Sequence, residues 1–213
     1  GYLIKFQIKR MPRSEIELMK RLSENGFLLN INSGRGLYFL QEMFFEILPF
    51  VSLTYENGSA TWHRGRIYEH VNSFQRLRKL ALKLREVRDG KIKGFEPKEF
   101  IVTIHCRGRV AKMEDILRKE KVHWVWNDEA YDIGLREQTK ATGLREVRKI
   151  FGVKKENMLG VGDNFNDVEF LINVGVSVSA DEKRAFGDFS VPLRGKYLPA
   201  EIVMRKFEEI FCS

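Results

Sequence analysis

Apolar and polar positions change period several times along this chain. In SEIELMKRLSENG, Ile16, Met19 and Leu22 recur at helical spacing, which predicts a helix with Ser14 as N-cap and Gly26 at its carboxyl end. FLLNI is a short unbroken apolar run, read as a buried strand, and a Ser-Gly-Arg turn leads from it into a helix from about Gly36 to Leu48. FVSLTY reads as a second buried strand. The sequence then shifts to SATWHRGRIYEH, a hairpin around Arg64-Gly65, followed by a basic helix in which Phe74, Leu77, Leu84 and Val87 share one face. Strand FIVTIHC, helix VAKMEDILRKE and strand VHWVW complete this middle stretch. After AYDIGL the first pattern resumes, with a helix over 139–151, strand NMLGVG, a helix over 165–171 and strand VGVSVS.

Helices alternating with buried strands at both ends of the chain predict an α/β fold, a doubly wound parallel sheet. The middle stretch predicts a small α+β domain inserted into it. The expected division is 1–58 with 136–213 for the sheet domain and 59–135 for the insert.

Composition narrows the partners. With 43% hydrophobic and 31% charged residues and no apolar run of about 20, the chain reads as a soluble globular protein and not as a membrane span. GYLIKFQIKR lacks the apolar core and cleavage site of a signal peptide. Two cysteines, Cys106 and Cys212, without metal-ligand spacing, agree with a reducing cytoplasm. The net charge of +8 is local: residues 62–121 hold 17 Lys/Arg against 8 Asp/Glu, and the remainder is nearly balanced. Such a segment favours anionic partners, although on the helix FQRLRKLALKLREVR the cations read as a solvated face.

Four short stretches carry candidate chemistry. In MLGVGDNFNDVEFL, Asp163 and Asp167 stand four residues apart where a strand gives way to a helix, at the sheet edge where ligands of parallel sheets bind. Two carboxylates there suit a hard cation such as Mg²⁺, which takes one or two carboxylates, waters and substrate phosphate. The alternative is a helix cap, Asp163, with Asp167 favouring the dipole. In INSGRG, the Ser33 hydroxyl and free amides at a helix start suit phosphate, or simply begin a helix. Lys140 stands in a helix first turn, against the dipole, which a bound phosphate would compensate; a solvated lysine is the other reading. YENGS places Glu56-Asn57-Gly58 at a strand end where the insert begins, as a site turn or a hinge.

The order strand–Ser-Gly-Arg, strand–Glu-Asn-Gly, insert, Lys–helix, strand–Gly-Asp-x-x-Asn-Asp resembles the haloacid dehalogenase (HAD) superfamily of phosphohydrolases. It is similar in particular to the branch whose small cap lies between the second and third motifs, which includes phosphoglycolate, sucrose-phosphate and mannosyl-3-phosphoglycerate phosphatases. GVGDNFNDVEFL is the most specific part, supported by LLNINSGR and TYENGSA. The resemblance implies a Mg²⁺-dependent phosphatase of a small phosphorylated metabolite. It implies Ser33, Lys140, Asp163 and Asp167 as catalytic residues, with Asp163 and Asp167 at the metal. Ser33, Gly34, Arg35, Asn57 and Asn166 would bind substrate, Asn166 orienting Lys140 or the phosphate. Arg64, Arg66, His105, Arg107 and Arg109 would be the cap's candidates for a second anionic or polyhydroxylated group.

The resemblance also implies a first motif, Asp-x-Asp-x-Thr, whose leading Asp attacks phosphorus. No Asp precedes Asp89. The expectation is that this strand and its Asp pair lie ahead of Gly1. One alternative makes LIKFQIKR the first strand, with Gln7 and Lys9 in place of the two acids, and the protein a phosphate-ligand binder without turnover. The other is a basic nucleic-acid-binding domain using Trp62, Trp124 and Trp126, but no nucleic-acid motif accompanies them. A monomer or homodimer is expected.

Overall fold

The computed structural model describes residues 10–212. The reading of LIKFQIKR as a first strand, with Gln7 and Lys9, falls, except for Arg10, on residues outside those described.

Helix α1 (Arg13–Glu24) buries Ile16, Leu18, Met19 and Leu22. Its N-cap is Pro12 and not Ser14: the Pro12 carbonyl accepts from the Glu15 and Ile16 amides, and Ser14 lies inside the first turn. Strand β1 (Leu29–Asn32) leads to α2 (Leu37–Met43), which stops short of Leu48; Phe45–Phe50, containing Pro49, continues as a 3-10 helix. Strand β2 (Val51–Tyr55) is buried throughout and pairs in parallel with β1, Leu29 opposite Val51 and Asn32 opposite Thr54.

The hairpin β3 (Ala60–His63) and β4 (Arg66–Glu69) does not join the insert. β3 pairs antiparallel with β2, extending the sheet to β1-β2-β3-β4. The reason is the turn at 56–58, where Glu56, Asn57 and Gly58 all have positive φ (48°, 55° and 86°) and reverse the chain at once. So short a connection joins antiparallel neighbours, whereas a parallel partner needs a long crossover.

The insert proper contains α3 (Phe74–Arg85), β5 (Ile92–Glu96), β6 (Val102–Cys106), α4 (Ala111–Lys119), β7 (Val122–Trp126) and β8 (Ala130–Leu135). Its strands form an antiparallel sheet in the order β5-β6-β8-β7. Alternation divides the sheet's two faces. Ile104, Cys106, Tyr131 and Ile133 pack with Leu77, Leu84, Val87, Met113 and Leu117 of the helical layer, and Trp124 and Trp126 pack against that core. The intervening Thr103, His105 and Asp132 fall on the opposite face. In α3 the side chain of Phe74 lies outside what the structure describes, while Arg76, Arg78, Lys79, Lys83 and Arg85 are exposed, the solvated face expected of them.

The chain then returns through α5 (Lys140–Phe151), β9 (Leu159–Gly162), a 3-10 turn (Phe165–Asp167), α6 (Val168–Leu171), β10 (Val176–Ser179), β11 (Phe189–Ser190) and α7 (Pro199–Phe211). β9, β10 and β11 form a second parallel sheet in the order β11-β10-β9. Strands β5, β8 and β11 and helix α7 go beyond the elements read from the sequence. Among the described residues β1 pairs only with β2, and β9 only with β10, so each leaves one edge without a described neighbour. Helix α5 packs on β1, β2 and β3 and also on α6 and the 165–167 turn, bridging the mixed sheet and the parallel one. No described helix is long and apolar enough to cross a membrane.

Candidate functional site

The carboxyl ends of β1 and β9 open into one cavity of about 320 Å³. Ser33, Gly34, Arg35, Lys140, Asp163, Asn164, Asn166 and Asp167 line it from the sheet domain; the insert closes it with Glu96, Lys98, Thr103, His105, Asn127, Glu129, Ala130 and Asp132. A cavity of about 360 Å³ on the other side of the 97–101 loop, between Leu77, Leu82, Phe95 and Phe100, is mostly apolar. It shares only Glu96 and Lys98 with the polar one, so the chemistry of the lining, rather than size, identifies the site.

Two turns are zippered together at its base. The Ser33 amide donates to the Thr54 carbonyl (2.9 Å), the Glu56 amide to the Arg35 carbonyl (3.0 Å) and the Asn57 amide to the Ser33 carbonyl (3.1 Å). The Ser33 hydroxyl accepts from the Arg35 amide at 3.2 Å. Asn57 is buried behind this wall and receives a long contact from Asn166 Nδ2 (3.5 Å). Asn166 therefore leans on Asn57 and not on Lys140. Its Oδ1 and that of Asn32 are buried without a hydrogen-bond partner among the described residues.

Lys140 reaches the cavity because α5 is pressed against the 56–58 turn. A Cβ on Gly143 would lie 2.5 Å from the Gly58 Cα, so two glycines make the contact. Thr139 caps the helix, its hydroxyl accepting from the Thr142 amide, and Asn32 Nδ2 donates to the Lys140 carbonyl (2.9 Å). The Lys140 ammonium meets Asp167 Oδ1 at 2.5 Å, with both side chains largely buried. Its unfavourable place in a helix first turn is thus offset by a carboxylate.

Asp167 also closes its own loop: Oδ2 accepts from the Asp163 and Asn164 amides, each at 3.1 Å. The cap of this turn is Asn164, whose side chain accepts from the Phe165 amide (2.8 Å), and not Asp163. The Asp163 carboxylate has no hydrogen bond or ion pair among the described residues. Although it keeps an open side toward the cavity, partial burial, and next the Asp167 charge, push its carboxyl above the usual range, with Lys140 and Arg184 opposing. No cluster of three or more His, Cys, Asp or Glu side chains able to hold a metal occurs among the described residues. A cation of the Mg²⁺ type, which completes its shell with waters and phosphate oxygens, finds an uncommitted carboxylate at the carboxyl end of β9, Asp163.

The basic residues proposed for the cap are mostly elsewhere. Arg64 stands at the β3–β4 turn beside Ser23, Leu48 and Trp62, and Arg66 lies over the Tyr68 ring; both belong to the sheet domain, because the hairpin does. Arg109 pairs with Glu114 at 2.6 Å, and Arg107 is exposed; neither lines the cavity. His105 does line it. Glu96 joins His105 Nε2 (2.8 Å) and Lys98 (3.2 Å). Burial works to raise the Glu96 pKa, but these two partners hold it below the usual carboxylate range. Thr103 donates to Asp132 at 2.6 Å. The alternation of VTIHC could have found Thr103, which shares a face with His105, and in AYDIG the lone acid Asp132 among Ala130, Tyr131 and Ile133 was the signal.

Residues 91–184 match the family model of the haloacid dehalogenase-like hydrolases. The chain is 26% identical over 186 residues to a phosphoglycolate phosphatase of Sulfolobus acidocaldarius, covering 82% of this chain and 78% of that one. Among solved structures it is similar to a haloacid dehalogenase-like hydrolase of B. subtilis, with a TM-score of 0.74, 13% identity and coverage of 93% and 94%. A sugar phosphatase of HAD subclass IIB gives a TM-score of 0.68 at 18% identity, covering 97% of this chain and 95% of that one.

Proposed function

We propose that this chain is a haloacid dehalogenase-like hydrolase, a phosphatase of a small phosphorylated metabolite, dependent on Mg²⁺. The observation that carries the reading is the convergence of Ser33, Lys140, Asp163 and Asn166 on one polar cavity roofed by the insert. Ser33 and the Gly34 amide hold the phosphoryl oxygens, and Lys140, fixed by Asp167, offsets their charge. Asp163 would hold the cation, which supplies further charge stabilisation to the phosphoryl group when bound. The similarity to a phosphoglycolate phosphatase and a sugar phosphatase supports a small phosphomonoester substrate. We take residues 136–211 with the first strands as the catalytic domain and the stretch between the hairpin and residue 135 as its cap.

The nucleophilic Asp belongs, in this proposal, to a strand outside the 213 residues. The edges of β1 and β9 that lack a described neighbour support it: both are parallel strands, α5 bridges their sheets, and both end at the cavity. A strand pairing with both would bring its own carboxyl end between Ser33, Lys140 and Asp163. Its carboxylate would attack phosphorus and release the alcohol, and water would then release phosphate. The absence of any Asp before Asp89 favours a second reading, in which residues 3–10 take that place and Gln7 and Lys9 leave a phosphate-ligand binder.

The test is p-nitrophenyl phosphate hydrolysis by the protein purified from its source, with and without Mg²⁺, beside its intact mass. Turnover that needs Mg²⁺, with a mass above 25.0 kDa, is the expected result. Phosphate binding without turnover at that mass would establish the second reading instead.

A further inference from the structure

Lys98 lies on the β5–β6 loop of the insert, yet its ammonium donates to the carbonyl of Gly34 in the opposite domain at 2.7 Å. Its side chain is 2% exposed, and its second partner is Glu96 Oε1 at 3.2 Å. An ammonium has three donors, and buried charges are seldom left short of acceptors. Two donors are used among the described residues, and Lys98 lines the polar cavity.

The loop is held in place from below. Glu56, almost wholly buried, accepts three consecutive amides of it: Glu99 at 3.0 Å, Phe100 at 2.7 Å and Ile101 at 3.1 Å. The same residue's backbone amide is tied to the Arg35 carbonyl. One residue thus couples the Ser33–Gly34–Arg35 turn to the loop that carries Lys98. Ser73 and Gln138 add two hydrogen bonds to the Phe100 carbonyl, at 2.6 and 3.1 Å. A buried carboxylate enclosing three amides is costly unless the geometry is kept, so the loop position is strongly specified.

We infer that Lys98 is a substrate-contacting residue, a cation lent by the cap to an anionic oxygen bound at the Ser33–Gly34 turn, and that Glu56 is the residue that positions it. The inference rests on reading the cavity as a phosphate site. Lys140 approaches that site from the sheet domain and Lys98 from the insert, so the bound oxyanion is neutralised from both sides.

The experiment is calorimetric titration of the full chain with inorganic phosphate, with and without Mg²⁺, beside urea unfolding. Lys98→Met keeps the stem of the side chain and removes the charge; it should weaken phosphate binding about tenfold or more, the scale of a charge-assisted hydrogen bond. Lys98→Arg should restore part of that loss, which a purely structural role would not require. Glu56→Gln should weaken binding several-fold in the wild-type background and add little once Lys98 is Met, because it acts through Lys98. If Lys98→Met does not fold, Lys98→Gln carries the same expectation. Phosphate bound equally by wild type and Lys98→Met would overturn the inference and leave the phosphate site standing. No phosphate binding by the wild type would overturn the reading of the site itself, and the inference with it.

Discussion

Both carboxylate oxygens of Asp167 are engaged within the protein, one by Lys140 and the other by two loop amides. Asp163, four residues earlier, is left open to the cavity. The two acids of one short motif therefore do different work: Asp167 holds the lysine and the loop, and Asp163 can ligate a cation. Asp163→Asn should lower Mg²⁺-dependent turnover by about a hundredfold or more while leaving the unfolding midpoint nearly unchanged, because it breaks no pair. An unchanged rate at saturating Mg²⁺ would remove Asp163 from the metal. Asp167→Asn should instead destabilise the fold, by about 3 kcal/mol in urea unfolding, because it leaves the Lys140 ammonium buried and unpaired. The motif GDNFND was legible as a site from its residues alone. Which acid does which was not, since that depends on Lys140, 27 positions away.

Helix α5 sets the position of Lys140 through a contact between two glycines. In an exposed helix interior, Gly→Ala stabilises by about 0.5–1 kcal/mol through lost chain entropy. At Gly143 the new methyl would lie 2.5 Å from Gly58 Cα and 2.8 Å from the Thr54 methyl, neither of them a flexible chain end. Overpacking of that kind costs about 1–3 kcal/mol, so the sign reverses. Gly143→Ala should lower the unfolding midpoint and, by pushing α5 away from the turn, reduce activity beyond the loss of folded protein; activity per folded molecule measures the difference. The helix was plain from its periodicity. The β3–β4 hairpin was equally plain as a hairpin, but its sheet was not, because a local pattern does not say which neighbour a strand will choose.

Across the whole molecule the basic surplus divides between surface and structure. Arg109 and Arg118 both pair with Glu114, which also accepts from the Tyr131 hydroxyl, and this network ties α4 to the insert's sheet. The hydrogen bond from Arg109, more than any other cause, holds the Glu114 carboxyl below its usual range. A carboxyl depressed in the folded state adds stability at neutral pH and loses it as pH falls through the folded pKa. The insert's melting temperature, followed by Trp124 and Trp126 fluorescence, should therefore drop on acidification below the ordinary glutamate range. In Glu114→Gln it should start lower and vary less over the same interval; a parallel pH curve in the variant would assign the transition to another group.

The sequence by itself determined the alternation of helices and buried strands and the presence of an insert, and it offered Ser33, Lys140, Asp163 and Asp167 as candidates that line one cavity, because periodicity and short turn motifs are local properties of the chain. Tertiary structure alone decided that the hairpin joins the sheet domain, that Arg64, Arg66, Arg107 and Arg109 stay outside the cavity, and that Glu96, Lys98, Thr103 and Asp132 line it. Those outcomes turn on which strand edges pair and which face of a sheet meets a neighbour. A hydrogen bond such as that from Lys98 to Gly34, 64 residues apart, leaves no trace in either local pattern.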